Sequence, residues 1–168
     1  YPANYIPSTK LADAKANLHR GNTSILTTPL APKLNLRARF SNSSTWSKMG
    51  QSLNGHGELI VELTGDLSDT RKRLGSACYN TVRSFYRLLT MWKQRFWEIR
   101  FYNLQGDVIA KKIIRPAKLK KDKSFTARIK LPINDKEIVR AELWRINKKL
   151  KAVDLIGITN PIYLNRQL

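Results

Sequence analysis

EIVRAELWRINKKLKAVDLIGI, residues 137–158, decides the fold class. It reads as one long strand, Glu137 to Ile146, then a hairpin turn at Asn147-Lys148-Lys149, then a returning strand from Leu150 to Ile158. Thr159-Asn160-Pro161 breaks the second strand, and Ile162-Tyr163-Leu164 closes the pattern.

Working outward, the same alphabet recurs. LNLRARF, Leu34 to Phe40, alternates apolar and polar residues, as a half-buried strand does. GELIVELTG, Gly57 to Gly65, sets Leu59, Val61 and Leu63 against Glu58, Ile60 and Glu62. Further strands are expected over Trp97–Leu104, Val108–Ile114 and Ser124–Leu131, with turns at Gln105-Gly106-Asp107 and at Pro132 with Asn134-Asp135. Ser41 to Gly55 reads as a polar loop. Ahead of these lies a short helix through Leu11, Ala14 and Leu18, capped by Ser8 or Thr9, with Gly21 at its C-terminal stop. A strand from Thr23 to Thr28 follows it. Seven or eight strands with turns about every ten residues mean an Ig-like β-sandwich. The expected organisation is a helix-and-strand connector to an upstream domain over residues 1–33, then the sandwich over residues 34–168.

One segment departs from the strand alphabet. Between Arg71 and Trp97 the apolar residues Leu74, Cys78, Val82, Phe85, Leu89, Trp92 and Phe96 recur at steps of three and four, one face of a helix. A long amphipathic helical insert is therefore expected at about residues 68–96. Its cations, Arg71, Arg73, Arg83, Arg87 and Lys93, largely avoid the apolar face, and a loop with Lys118, Lys120, Lys121 and Lys123 adds to them. These nine residues form the expected surface for an anionic partner. The partner classes are an acidic protein, an anionic lipid or nucleic acid, beside an upstream domain of the same polypeptide.

The charge gives that expectation its weight. The 168 residues carry a formal net charge of +19, and such a field attracts polyanions. Hydrophobic residues make up 42 % and charged residues 26 %, the proportions of a folded domain and not of a disordered one. No apolar run approaches the length of a membrane span. Cys78 stands alone, so no internal disulfide framework can form. Localisation is open between cytoplasm and periplasm of a bacterium. The chain starts at Tyr1 and reads as a processed chain or a piece of a longer one. Asn22-Thr23-Ser24 and Asn42-Ser43-Ser44 match the glycosylation pattern, which is short enough to arise by chance.

The catalytic inventory is thin. His19 and His56 are far apart, and no HxH, HExxH, CxxC or G-x-S-x-G occurs. His19 reads as a favourable charge at a helix end, and the glycines flanking His56 as a backbone turn. Asp66, Ser68 or Asp69 reads as a cap for the helical insert. No catalytic, cofactor or metal residue is assigned.

Two stretches resemble a known family. LHRGNTSILTTPL, with Arg20, Gly21, Thr23, Thr28 and Pro29, is similar to the end of the metal-binding barrel in bacterial PHP-type (polymerase and histidinol phosphatase) metallohydrolases. VRAELWRINKKLKAVDLIGITNPIYLN resembles the last strands of the β-sandwich that follows it there. The matching residues are Val139, Ala141, Glu142, Leu143, Thr159, Asn160, Pro161, Ile162 and Tyr163. Thr28 stands where that family has glycine, and the amphipathic helix is an addition. The resemblance implies a non-catalytic accessory domain of a metal-dependent phosphoesterase, buttressing the barrel or presenting substrate or a partner. The divalent metal would lie in an upstream domain. Two other classes remain in view: a free-standing basic module for nucleic acid or anionic lipid, and a structural cell-envelope sandwich.

Overall fold

A computed structural model describes residues 3–5, 11–27, 31–68, 81, 95–114, 123–132, 138–147 and 151–164. The protein is a mainly-β sandwich of two sheets with a short helix, α1 (Leu11–His19), near the start. The strands are β1 (Ala3–Tyr5), β2 (Ser24–Leu26), β3 (Lys33–Phe40), β4 (Ser47–Lys48), β5 (Ser52–Leu53) and β6 (Leu59–Asp66). They continue with β7 (Arg95–Tyr102), β8 (Val108–Ile114), β9 (Ser124–Leu131), β10 (Ile138–Asn147), β11 (Ala152–Thr159) and β12 (Ile162–Leu164).

The small sheet has the order β4-β3-β6-β9, and all its pairings are antiparallel. In the large sheet β10 is the central strand. It pairs with β11, with β7 and, through Ile138 and Val139, with β12. β8 extends β7, β5 runs parallel to β12, and β2 and β1 extend β11. The two quoted strands pair antiparallel as β10 and β11; Asn147, expected in the turn, belongs to β10, is buried and pairs with Ala152 and Arg95, and residues 148–150 of the expected turn and returning strand lie outside the described residues.

Strand alternation builds the core. Leu34, Leu36, Ala38 and Phe40 of β3, with Leu59, Val61 and Leu63 of β6, face Ile99 and Phe101 of β7 and Val139, Ala141 and Leu143 of β10. Every one of these is at most 1 % exposed. Burying a side chain of this size contributes roughly 1.5–3 kcal/mol, so the period-2 pattern of β3 and β6 fixes their register.

Three expectations change. The described residues hold twelve strands, more than the seven or eight expected. The loop Ser41 to Gly55 contains β4 and β5 and sends Met49 and Leu53 into the core. Phe96, expected as the last apolar position of the helix, lies in β7 opposite Ile146, so strand structure has begun by Arg95. Between Ser68 and Arg95 only Thr81 is described; it is helical and exposed. The rest of that segment lies outside the described residues.

A junction ties the two ends of the chain. α1 closes with a Schellman motif: Gly21 N–H donates to Leu18 O (3.0 Å) and Asn22 N–H to Asn17 O (2.8 Å), with Gly21 at φ +67°. The Asn160 side-chain amide donates to Gly21 O and to Thr23 Oγ1, both at 2.9 Å, and its backbone N–H donates to Thr23 O. Gly50, at φ +76°, donates to Pro161 O, and a Cβ there would lie 1.7 Å from Arg20 O. The R-G-N-T and T-N-P-I-Y stretches thus meet, and the contact fixes the position of β4, two residues before Gly50.

We predict that Gly50→Ala destabilises the fold by more than about 2 kcal/mol, since a left-handed backbone and a backbone clash coincide. Gly106→Ala, at φ +87° with nothing within 4 Å of the added carbon, should cost only the backbone term of about 1 kcal/mol. Urea unfolding of both variants checks this; equal losses would show that the junction is not tightly packed.

Candidate functional site

The outer face of the small sheet is where the sequence places its second alternation. In LNLRARF the positions between the core residues are Asn35, Arg37 and Arg39. On β9 they include Arg128 and Lys130. Register brings them into rows: Arg37, Glu62 and Arg128 lie side by side across β3, β6 and β9, as do Arg39, Ile60 and Lys130.

Glu62 organises the first row. Its side chain is only 2 % exposed. Arg37 Nε donates to Oε1 at 2.6 Å and its Nη2 pairs with the same oxygen. Arg128 donates to Oε2 through Nε (3.1 Å) and Nη2 (2.7 Å). Burial raises the carboxyl pKa, but the hydrogen bonds and charges of Arg128 and Arg37 outweigh it and hold Glu62 below the usual carboxylate range. Trp46, half-buried just ahead of β4, completes the group. The guanidinium carbons of Arg37, Arg39 and Arg128 lie 4.4, 5.2 and 5.9 Å from its ring centroid, within the range of a cation–π attraction. Arg39 Nη1 donates to the carbonyls of Phe40 and Ser43. Two guanidinia thus share one carboxylate, and three gather around one indole.

The outer face of the large sheet carries a similar set of residues with a different charge balance. There Arg100 pairs with Glu98 (2.6 Å), Arg140 with Glu142 (3.3 Å) and Arg145 with Asp154 (2.7 Å). Arg100 sits over Trp144 and Arg140 over Tyr102. Burial and the hydrogen bond that the phenol donates to Glu142 push Tyr102 above its usual range. Each of those arginines has its own acid. On the small-sheet face Arg37 and Arg128 share one acid, and Arg39 bonds carbonyl oxygens in place of a carboxylate.

Beside this face lies a polar cleft of about 350 Å³ between α1, the turn after it, β3 and β4. Asp13, Asn17, Arg20, Asn22, Asn35 and Lys48 line it. The side chains of Arg20 and Lys48 have no partner among the described residues. Lys48 lies opposite Arg37 in the β3–β4 pairing, so cleft and arginine face adjoin.

Of the expected anionic-partner surface, Arg71, Arg73, Arg83, Arg87, Lys93, Lys118, Lys120 and Lys121 lie outside the described residues. Lys123 is exposed, at φ +51°, and its carbonyl accepts from Leu67 N–H at 2.7 Å as it leads into β9. Asp66 ends β6 and accepts from Ser68 N–H and Oγ; the segment it is expected to cap lies outside the described residues. The sequence reading missed Arg37, Arg39, Trp46 and Arg128. The signals were there: two arginines on the polar phase of one strand, and a lone tryptophan in a polar loop.

Among the described residues no group of three or more His, Cys, Asp or Glu is placed to hold a metal ion, and no helix is long and apolar enough to cross a membrane. No family model matches the chain, and no curated protein matches it. Among solved structures it is similar to the crystal structure of the C-terminal domain of wzt, at 6 % identity and a TM-score of 0.36, over 79 % of this chain and 72 % of that one. The reading of the chain as PHP-type, phosphoesterase or hydrolase is therefore corrected: no family model carries it and the described residues hold no metal-binding group. A β-sandwich with a basic face is what stands.

The Glu62 pair gives a pH signature. Because the folded pKa is depressed, its contribution to stability is complete above the ordinary carboxylate range and is lost as pH falls through the folded value. Glu62→Gln should cost about 1–2 kcal/mol at neutral pH, the worth of charge-assisted bonds trimmed by the solvent exposure of both arginines. The gap between variant and wild type should begin to narrow as pH falls below the ordinary carboxylate value of about 4.3, and close once folded Glu62 is protonated. Chemical denaturation at pH 7 and at steps through the acid range measures both; a gap that does not narrow at all with acid would contradict an ionised Glu62.

Proposed function

We propose that this chain is a basic binding module that docks a single-stranded nucleic acid on the outer face of its small sheet. The observation that carries the reading is the cluster of Arg37, Arg39 and Arg128 around Trp46, with Glu62 as its one acidic partner. Faces that track a single strand combine cations for the phosphates with an aromatic ring for a base, and guanidinia add cation–π contacts. The net charge of +19 supplies the long-range attraction.

The composition of this face favours a strand over a bilayer. A membrane-surface module sets large apolar side chains beside its cations so that they enter the acyl boundary. The exposed large apolar residues here are Leu18 on α1, Ile25, Val108, Ile113 and Val153 on strands of the large sheet, and Leu104 in a turn. On the small sheet, Ile60 is the apolar residue of the outward phase, and it is 8 % exposed. The cations of that face have no apolar wedge beside them.

Fluorescence anisotropy with a labelled oligonucleotide of about 12 nucleotides tests this. Affinity should fall with salt at a log–log slope of about −0.7 per phosphate contacted. Trp46→Ala should lose about 1–3 kcal/mol of binding, as a stacked base would, and Arg39→Ala should flatten the salt slope by about one phosphate. Binding that both variants leave intact would place the contact surface elsewhere.

A further inference from the structure

The cleft beside the arginine face combines features that the face itself does not have. Its two cations, Arg20 and Lys48, are unpaired, and Asn17, Asn22 and Asn35 add carboxamides that both donate and accept. Asp13 adds an acceptor on α1, one turn before Asn17. Asn22 is the unusual member. Its Nδ2 donates to Asn17 Oδ1 at 3.1 Å, while its Oδ1 is buried and accepts no hydrogen bond. A buried acceptor without a donor is costly, and native proteins rarely leave one without a reason. The turn that holds it is fixed by the Schellman motif and by Asn160, so the amide is positioned rather than adrift. A donor reaches this oxygen through a rotation about the broad χ2 of asparagine that gives up the bond to Asn17, so the ligand's bond replaces that one.

A ligand that satisfies this cleft brings anionic oxygens for Arg20 and Lys48 together with hydroxyl donors for Asn22 Oδ1 and the Asp13 carboxylate. An aprotic anion such as sulfate brings no donor, and a neutral sugar leaves the two cations unanswered. A ribose phosphate supplies both. The cleft also adjoins the strand-binding face: Asn35 lies two residues before Arg37 on β3, on the same side of the strand, and Lys48 pairs across from Arg37.

Building on the proposed docking of a single strand, we propose that the cleft takes one ribose-phosphate unit of that strand and that the module prefers RNA to DNA. The phosphate sits between Arg20 and Lys48. The 2′-hydroxyl donates to Asn22 Oδ1, which deoxyribose cannot do. The 2′-hydroxyl is the group by which a protein tells the two polymers apart at a given site.

The experiment compares oligouridine and oligodeoxyuridine of equal length by anisotropy, on wild type and on Asn22→Ala. The wild type should bind the RNA about tenfold more tightly, the worth of one net hydrogen bond. Asn22→Ala should bring the ratio close to one through a loss on RNA alone. Should Asn22→Ala not fold, Asn35→Ala, an exposed amide of the same cleft, should also narrow the ratio, and the side-chain amide signals of Asn17, Asn22 and Asn35 should shift in NMR spectra on adding the RNA. Equal, salt-dependent binding of both polymers by the wild type overturns the ribose site and leaves the docking face standing. Failure of either polymer to bind at low salt overturns both.

Discussion

A carboxylate that is 2 % exposed, held between two guanidinia, is the constraint on which the basic face depends. Removing Glu62 from water carries a desolvation cost, and a single surface-type pair would not offset it. Two guanidinia, one on each oxygen, do offset it, and the price is that neither arginine can move away. Arg37 and Arg128 are thereby fixed on β3 and β9, on either side of β6. Their outer surfaces are fixed with them, and Trp46 rests against those surfaces. A binding face made of long, flexible cations ordinarily loses side-chain entropy when it engages a ligand. Here much of that ordering is already present in the folded protein.

The second constraint is the junction of Gly21, Gly50 and Asn160. It has no chemistry of its own, yet it determines where the chemistry lies. The close approach of Gly50 to the carbonyl of Arg20 brings the end of α1 against β4. That approach creates the cleft and sets Lys48 beside Arg37. The backbone hydrogen bonds of the turn are satisfied by Asn160, so a loop otherwise exposed to solvent keeps one geometry. Arg20, Gly21, Thr23, Asn160 and Pro161, among the residues that suggested a family at the sequence level, form this contact. Their structural role accounts for two of the types: a glycine for a left-handed backbone and an asparagine for its side-chain and backbone donors.

Most of the sandwich was legible because its signal is local. β3, β6, β9 and β10 alternate strictly enough that each announces itself, and their core faces follow from the period. β4 and β5 were not legible. They are two residues each, and they exist because Arg37 pairs with Lys48 and Leu164 with Leu53, partners distant in sequence. Phe96 was misread because it satisfies two periods at once: four residues after Trp92 on a helix, and two before Glu98 on a strand. Its pairing with Ile146 decides in favour of the strand. Glu62 was read as an outward polar residue, and its direction is outward. Its burial comes from the arginines that cover it, a fact that no single strand contains. The site was half visible, as charge without placement, because the sandwich assembles it from β3, β6, β9 and the loop before β4.

Side-chain NMR of the arginine Nε–H and tryptophan indole N–H signals, followed during titration with a single-stranded oligonucleotide at low salt, tests the central claim most directly. The account predicts that Arg37, Arg39, Arg128 and Trp46 shift together and saturate with one affinity, while Arg100, Arg140, Arg145 and Trp144 on the large sheet stay in place. Shifts confined to the large-sheet residues, or a titration that moves none of these signals, would contradict it.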